Sequence, residues 1–476
     1  SGCQKEKCAD AINSAFLNKE VRSACGMIYL PDKYDCEASI AKSIVELMEA
    51  GDSPITNIDG FIDQYEKENF KLADSQRDAI KMVFKNPVSI ITGGPGVGKT
   101  TVTNAVLYVH RKVFREGSLP LLLAPTGKAA RRMSEATHYP AATIHSAVGW
   151  RGDDQEIECG EETLDGNLVL VDESSMMDQK ICAILLERIE RGARVVFIGD
   201  IDQLPSVGCG YVLHDLIASG VVPVTRLTVI YRQEGNNPIV ANAHAINEGR
   251  TDLVETNTFR FIETHSDGEA FMQACKLYIR CVQAYGDENV ILLNPQRNNT
   301  DLSVDNFNTK LQELLNPPKA NGFEIKVGKN TFRAGDKVME LTNTANAKNG
   351  DVGYIREISR RPDPDDPQEW MYYAVIQFDD GHMLEYLQED LKHVSLAWCT
   401  TVHKSQGSEF PTVIQIVSKA HPSMLKRNLV YTGITRARTN VAIIGERDAL
   451  KMAVENNSQE VRYTLLANRL RKALQN

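Results

Sequence analysis

No stretch of the 476-residue chain is apolar for long enough to cross a bilayer, and the first residues, Ser1-Gly2-Cys3-Gln4-Lys5, hold no apolar signal core. The chain therefore reads as soluble and cytoplasmic, with no membrane partner. An initiating Met is also missing, so Ser1-Gly2 reads as a processing scar or a truncated start. Cysteine pairing signals are absent as well: ten cysteines are spread along a long chain, with no C-x-x-C pair among them. That usage fits reduced thiols and excludes a dense disulfide framework. Cys3, Cys8, Cys25 and Cys36 cluster near the start, where free thiols are the ordinary reading and a zinc or iron–sulfur site the alternative. Bulk positive charge is lacking too. A formal net charge of −10 excludes a protein that coats nucleic acid electrostatically, though it leaves room for a narrow basic channel. Much of the acidity is local, because Arg151 to Gly166 carries seven acids and one base. Long repeats, low-complexity tracts and a nuclease-type cluster of metal-binding carboxylates are not found.

What is present is ordinary globular composition, 42% hydrophobic and 24% charged, at a length that allows several cores. Residues 1–70 read as an N-terminal helical accessory region, with apolar spacing at Ile40, Ile44, Leu47 and Met48 and a stop at Gly51-Asp52-Ser53-Pro54. The pattern then changes. Short continuous apolar runs, Val88–Ile91, Leu121–Ala124, Leu168–Val171 and Val195–Ile198, alternate with helical stretches and predict a parallel sheet buried on both faces within residues 71–220. A second set, Val290–Leu293, Val413–Val417 and Val441–Ile444, predicts a second α/β domain over 221–325 and 396–476. Between its parts, residues 326–395 show period-two alternation, as in Tyr372–Phe378, with turns at Arg333–Asp336, Lys348–Asp351 and Asp379–Gly381. That texture predicts a small inserted antiparallel barrel.

Ligands of a parallel sheet gather at the carboxyl ends of its strands. Directly after the first of them comes Gly93-Gly94-Pro95-Gly96-Val97-Gly98-Lys99-Thr100, which fits G-x-x-x-x-G-K-[ST] between a predicted strand and a predicted helix. Glycines let backbone N–H groups wrap phosphate oxygens, Lys99 meets the β- and γ-phosphates, and the Thr100 hydroxyl ligates Mg²⁺. The nucleotide-binding set therefore runs from Gly94 through Thr101, with ATP and Mg²⁺ as the expected cofactors. The third strand ends in Asp172-Glu173-Ser174-Ser175-Met176. Asp172 suits Mg²⁺ and Glu173 suits the attacking water, although a helix cap with first-turn acids is the ordinary source of such a sequence. The fourth strand leads into Gly199-Asp200-Ile201-Asp202-Gln203-Leu204-Pro205, where Gln203 is a candidate sensor of the γ-phosphate and a polar loop is the alternative.

These motifs, together with Pro125–Ala130, Thr143–His145, Tyr231-Arg-Gln233, Val402–Gly407 and Tyr431–Arg438, occur in an order that resembles RecD-like helicases of superfamily one over residues 72–445. The resemblance implies two RecA-like motor domains with ATP between them, single-stranded DNA across their top, duplex–single-strand junctions as substrate, and 5′→3′ movement. It implies further roles. Gln76 reads adenine, Glu409 lies near the ribose, and Arg232 and Arg436 reach across the cleft to the γ-phosphate. Thr126, Lys128, Thr143, His145, Thr401, His403 and Ser405 line the DNA path, where each alone would pass for a cap or surface residue. Arg438 reads as a surface salt-bridge arginine. By the same resemblance 326–395 is an SH3-like barrel closing over DNA. Residues 151–166 fall where the family carries a duplex-splitting pin, with a disordered loop as the equal alternative. The barrel and the N-terminal region are also candidate docking sites for protein partners. A regulatory ATPase subunit of a larger nuclease complex and a motor of opposite polarity stay open beside this reading.

Overall fold

The computed structural model describes residues 5–51, 54–114, 119–150, 163–229, 237–320, 322–344, 346–363, 366, 368–458 and 462–474. Six parallel strands form the first sheet, in the order Ala141–Thr143, Leu121–Ala124, Leu168–Val171, Arg194–Gly199, Val88–Thr92, Val224–Arg226. Its central strands are buried along their whole length because alternate residues enter different cores. Val169, Val171, Val195 and Phe197 face one core, while Leu168, Leu170, Val196 and Ile198 face the other.

Helices from both ends of the chain help to cover these faces. Two helices of the accessory region, residues 1–70, pack directly on the first sheet. Ile40, Ile44 and Leu47 of the Pro31–Ala50 helix are buried in one of the first sheet's cores, and Ile62 and Tyr65 of the Asp59–Glu68 helix in the other. In the same region Arg22–Ala24 pairs with Met27–Tyr29 as an antiparallel hairpin. At the other end, within residues 396–476, the Leu466–Ala473 helix returns to the first domain, burying Leu466 and Leu470 against the Pro31–Ala50 helix. Buried Glu37 fixes that return, accepting from the Leu465 amide at 3.1 Å and pairing with Arg469 at 3.4 Å. The spacing of Leu466 and Leu470 predicts an apolar helix face but says nothing about which core it joins.

The second sheet has five parallel strands in the order Cys399–Thr401, Val290–Asn294, Phe410–Val417, Ala437–Gly445, Phe259–Glu263. One face is continuous with the inserted module, where Val338, Ile355, Ala374, Ile376 and Phe378 share a core with Leu292 and Ile414. That module is an antiparallel five-stranded sheet ordered Met383–Leu387, Trp370–Phe378, Val352–Pro362, Lys337–Glu340, Val394–Leu396, preceded by a Glu324–Val327/Asn330–Arg333 hairpin. Of the candidate pin, residues 151–162 lie outside the described residues. In the remainder, Leu164 bridges to Ile189.

Asp287 ties the inserted sheet to the second α/β domain. Its carboxylate accepts from Tyr278 Oη at 3.0 Å, Trp398 Nε1 at 3.2 Å and Tyr354 Oη at 3.2 Å, and it stands 3.8 Å from the buried Lys337 ammonium. Burial lowers the Lys337 pKa and Asp287 offsets that effect. Removing one member of a buried charge pair strands the other. Lys337 keeps two carbonyl partners, Asp287 O and Val290 O. Asp287→Ala is therefore expected to cost about 2–3 kcal/mol, below the usual range for a fully stranded charge. Denaturant unfolding checks this, and an unchanged midpoint would remove Asp287 from the stabilising network.

Candidate active site

The strand Val88–Thr92 delivers the chain into the glycine-rich loop, and the Lys99–Val113 helix follows at once. Gly96 (φ +77°) and Gly98 (φ +85°) supply left-handed backbone that a side chain would strain. Lys99 Nζ donates to Gly93 O at 2.6 Å and Gly94 O at 3.0 Å, which places the ammonium over the loop. Gln76 touches the same loop from the Asp74–Lys85 helix, donating to Val97 O at 3.3 Å and accepting from Ala73 N at 3.1 Å. Both ends of its amide are thus engaged with protein.

Asp172 and Glu173 follow the Leu168–Val171 strand. Burial, and then the adjacent Glu173 carboxylate, push the Asp172 pKa up to about 6. Glu173 has φ +50°, a backbone conformation rarely held without a functional or tightly packed reason. The donor set fits Mg²⁺, because the Thr100 hydroxyl and the Asp172 carboxylate are hard oxygens and a crowded acid pair favours a cation.

The loop after the Arg194–Gly199 strand connects the two domains. Gln203 Nε2 donates to Asp200 Oδ2 at 3.1 Å, and Gln203 Oε1 accepts from Arg436 Nη2 at 2.8 Å. Arg436 is buried, bonded also to Thr432 O at 3.2 Å and Ser408 O at 3.4 Å, with Nη1 standing 4.0 Å from Glu173. Tyr431 donates to Asp200 Oδ2 at 2.8 Å, Leu204 N to Thr432 Oγ1 at 2.9 Å, and Gln406 Nε2 to Leu204 O at 2.9 Å. The sequence alone assigns no role to Asp200, Tyr431, Thr432 or Gln406, although each stands inside one of its motifs. Arg232 lies outside the described residues. Glu409 is committed to Arg132 of the first domain at 2.6 Å and to Arg438 at 2.9 Å.

The expected strand-path residues divide into two groups. Thr126 and Thr143 cap short helices, accepting from Ala129 N at 3.2 Å and Ser146 N at 3.1 Å, and Thr401 accepts from Lys404 N at 3.3 Å. Ser405 faces inward, buried, with its hydroxyl donated to Val402 O at 2.8 Å. His145 packs edge-on against Trp150, and burial lowers its pKa. Burial likewise lowers Lys128, opposed by Asp379 and Asp351 of the inserted module. The turn holding Thr401, His403 and Ser405 meets the first domain at Gly407, where a β-carbon would come within 2.6 Å of Thr126 Oγ1. The two halves of the path thus abut.

Two parallel α/β domains joined across a P-loop by a Gln–Arg contact define a RecA-like two-domain P-loop fold. Comparison with known proteins agrees. An AAA domain model matches residues 71–267, a UvrD-like helicase C-terminal domain model 396–444, and an ATP-dependent RecD-like DNA helicase SH3 domain model 307–373. The chain is 32% identical over 458 residues to the ATP-dependent RecD2 DNA helicase of Deinococcus radiodurans, covering 96% of this chain and 60% of that protein. It is 27% identical over 534 residues to the RecBCD enzyme subunit RecD of Mycolicibacterium smegmatis, covering 97% of this chain and 92% of that one. The crystal structure of a Pif1 helicase from Bacteroides in complex with ADP-AlF3 and ssDNA shares the fold at 18% identity and TM-score 0.51, covering 85% of this chain and 97% of the other. The chain is thus similar to RecD-like helicases of superfamily one over most of its length, and spans about 60% of the Deinococcus relative. Among the described residues no helix is long and apolar enough to cross a membrane.

Proposed function

We propose that this chain is an ATP-driven motor that moves 5′→3′ along single-stranded DNA and separates duplex strands. The observation that carries the reading is the buried Arg436–Gln203 contact at 2.8 Å, which joins the second domain to the loop beside the P-loop. A change at the γ-phosphate is then felt by both domains. On this reading Lys99 compensates phosphate charge, Thr100 and Asp172 hold Mg²⁺, Glu173 activates water, and Arg436 and Arg232 stabilise the transition state. When bound, Mg²⁺ neutralises charge developing on the transferred phosphate. Lys128, His145, Thr126, Thr143, Thr401 and His403 grip the strand without reading sequence, as translocation requires. Ser405 braces the turn that carries Thr401 and His403.

Chemistry at the phosphates drives either polarity equally well. Direction therefore rests on the likeness to RecD-like helicases, supported by the inserted module beside the proposed strand path. Two otherwise identical duplexes, one with a 5′ tail and one with a 3′ tail, test it at low salt, where phosphate contacts hold best. The 5′-tailed duplex is expected to open preferentially, and preferential opening of the 3′-tailed one would overturn the assignment. A second reading, a DNA-stimulated ATPase subunit of a larger complex, is favoured by the 27% identity to a RecBCD subunit over 92% of that subunit's length. Stimulated ATP turnover with neither duplex opened would select it.

A further inference from the structure

The second domain meets the P-loop with two side chains that no sequence motif ties to nucleotide. A β-carbon at Gly94 would stand 3.0 Å from the Tyr431 hydroxyl and 3.7 Å from Cε1 of His244, so both rings lie against the loop backbone. Tyr431 already has a partner in Asp200, at 2.8 Å. His244 does not: its Nε2, one bond from the atom that faces Gly94, is buried and makes no hydrogen bond. Buried polar atoms are nearly always satisfied, so an unsatisfied one beside a loop built for anions calls for an explanation.

The local fold holds this nitrogen in place. Asn237 caps the Pro238–Asn247 helix by accepting from Ile239 N at 3.0 Å. Ile239, Ala243 and Ile246 then seat the helix in the second domain's core. His244 sits beside that apolar face. Asn247, one turn further on, hydrogen-bonds the Asp202 carboxylate of the first domain, so the face carrying both residues is turned into the cleft. Lys99 Nζ, the cation expected at the β- and γ-phosphates, bonds Gly94 O at 3.0 Å. His244 and Lys99 therefore converge on the same residue of the loop.

We infer that His244 is a nucleotide-binding residue whose Nε2–H donates to a γ-phosphate oxygen of bound ATP, giving the second domain a direct contact with the third phosphate. The inference rests on ATP being the ligand of this P-loop. It accounts for the orphaned nitrogen, because a phosphate oxygen is the acceptor that the protein itself does not supply there. Neutral imidazole suffices as the donor, so no change of protonation state is required.

Equilibrium binding of ADP and of a non-hydrolysable ATP analogue to the full chain tests this in the wild type, His244→Ala and His244→Gln. His244→Ala is expected to weaken the analogue about tenfold or more, the scale of a hydrogen bond to a charged group, and to leave ADP within about twofold. Retained ADP binding also reports a folded variant. His244→Gln, which keeps a donor near the same position, is expected to recover most of the loss. Equal weakening of both nucleotides, no weakening of either, or a Gln variant as weak as Ala would overturn the assignment. Wild-type protein that binds neither nucleotide would defeat the ATP reading itself, which separates the two failures.

Discussion

Lys99→Ala is expected to lower ATP turnover by roughly a thousandfold or more, while affinity for single-stranded DNA stays within about twofold. The ammonium lies over the loop, bonded to the carbonyls of Gly93 and Gly94. On the proposed reading, Lys99 would exchange those carbonyls for the β- and γ-phosphate oxygens of ATP and compensate the charge that grows there in the transition state. Nothing else described in the loop is cationic. The proposed strand path lies on other turns, those that follow Ala124 and Thr401, so its grip would not pass through Lys99. The measurements are steady-state turnover with saturating single strands and direct DNA binding without nucleotide. Turnover at the wild-type rate would remove the P-loop from the mechanism. Simultaneous loss of DNA binding would mean that the two sites are not independent.

The P-loop was legible because everything that defines it is local: a strand, a glycine turn and a helix within about fifteen residues. The parallel sheets were legible for a similar reason. Runs such as Val195–Ile198 are apolar on both faces, and only a sheet covered by helices on both sides uses such runs. The cross-cleft network was not legible residue by residue. Gln203 and Arg436 are 233 positions apart, and Asp200 and Tyr431 are 231. Each could be seen inside its motif, but nothing local says which atoms meet. His244 carried still less signal, since one histidine on a mostly apolar helix reads as a packing residue until the loop opposite is known. Where the terminal helices pack was hard to read for a related reason. Amphipathic helices at both ends of the chain announce a buried face without naming the core that buries it, and both joined the first motor domain. Glu409 differs again, because a lone acid after a glycine turn shows neither the ribose it was expected to approach nor the Arg132 and Arg438 it actually holds.

Replacement of Arg436 by Ala is expected to lower turnover by about a thousandfold, at the lower end of the range for arginines that stabilise transferred phosphate, with a much smaller loss of ATP affinity. Three features of its setting lead to this. The guanidinium is buried, so its charge acts in a medium that screens poorly. It is held from behind by the carbonyls of Thr432 and Ser408, which fixes its direction before nucleotide arrives. Its leading edge contacts Gln203 at 2.8 Å and stands 4.0 Å from Glu173, beside the residues expected to sense the γ-phosphate and to activate water. A group so placed gains most when charge builds on the phosphate oxygens, and so contributes more to the transition state than to the bound ground state. Arg436→Lys is expected to recover little, because a single ammonium cannot hold two carbonyls and Gln203 while also reaching phosphate. The informative measurement is the split between kcat and nucleotide affinity across wild type, Arg436→Ala and Arg436→Lys. A fall in affinity as large as the fall in kcat would reduce Arg436 to a binding residue. Near-full recovery by Lys would show that charge alone matters there, and that the planar, pre-oriented geometry of the guanidinium does not.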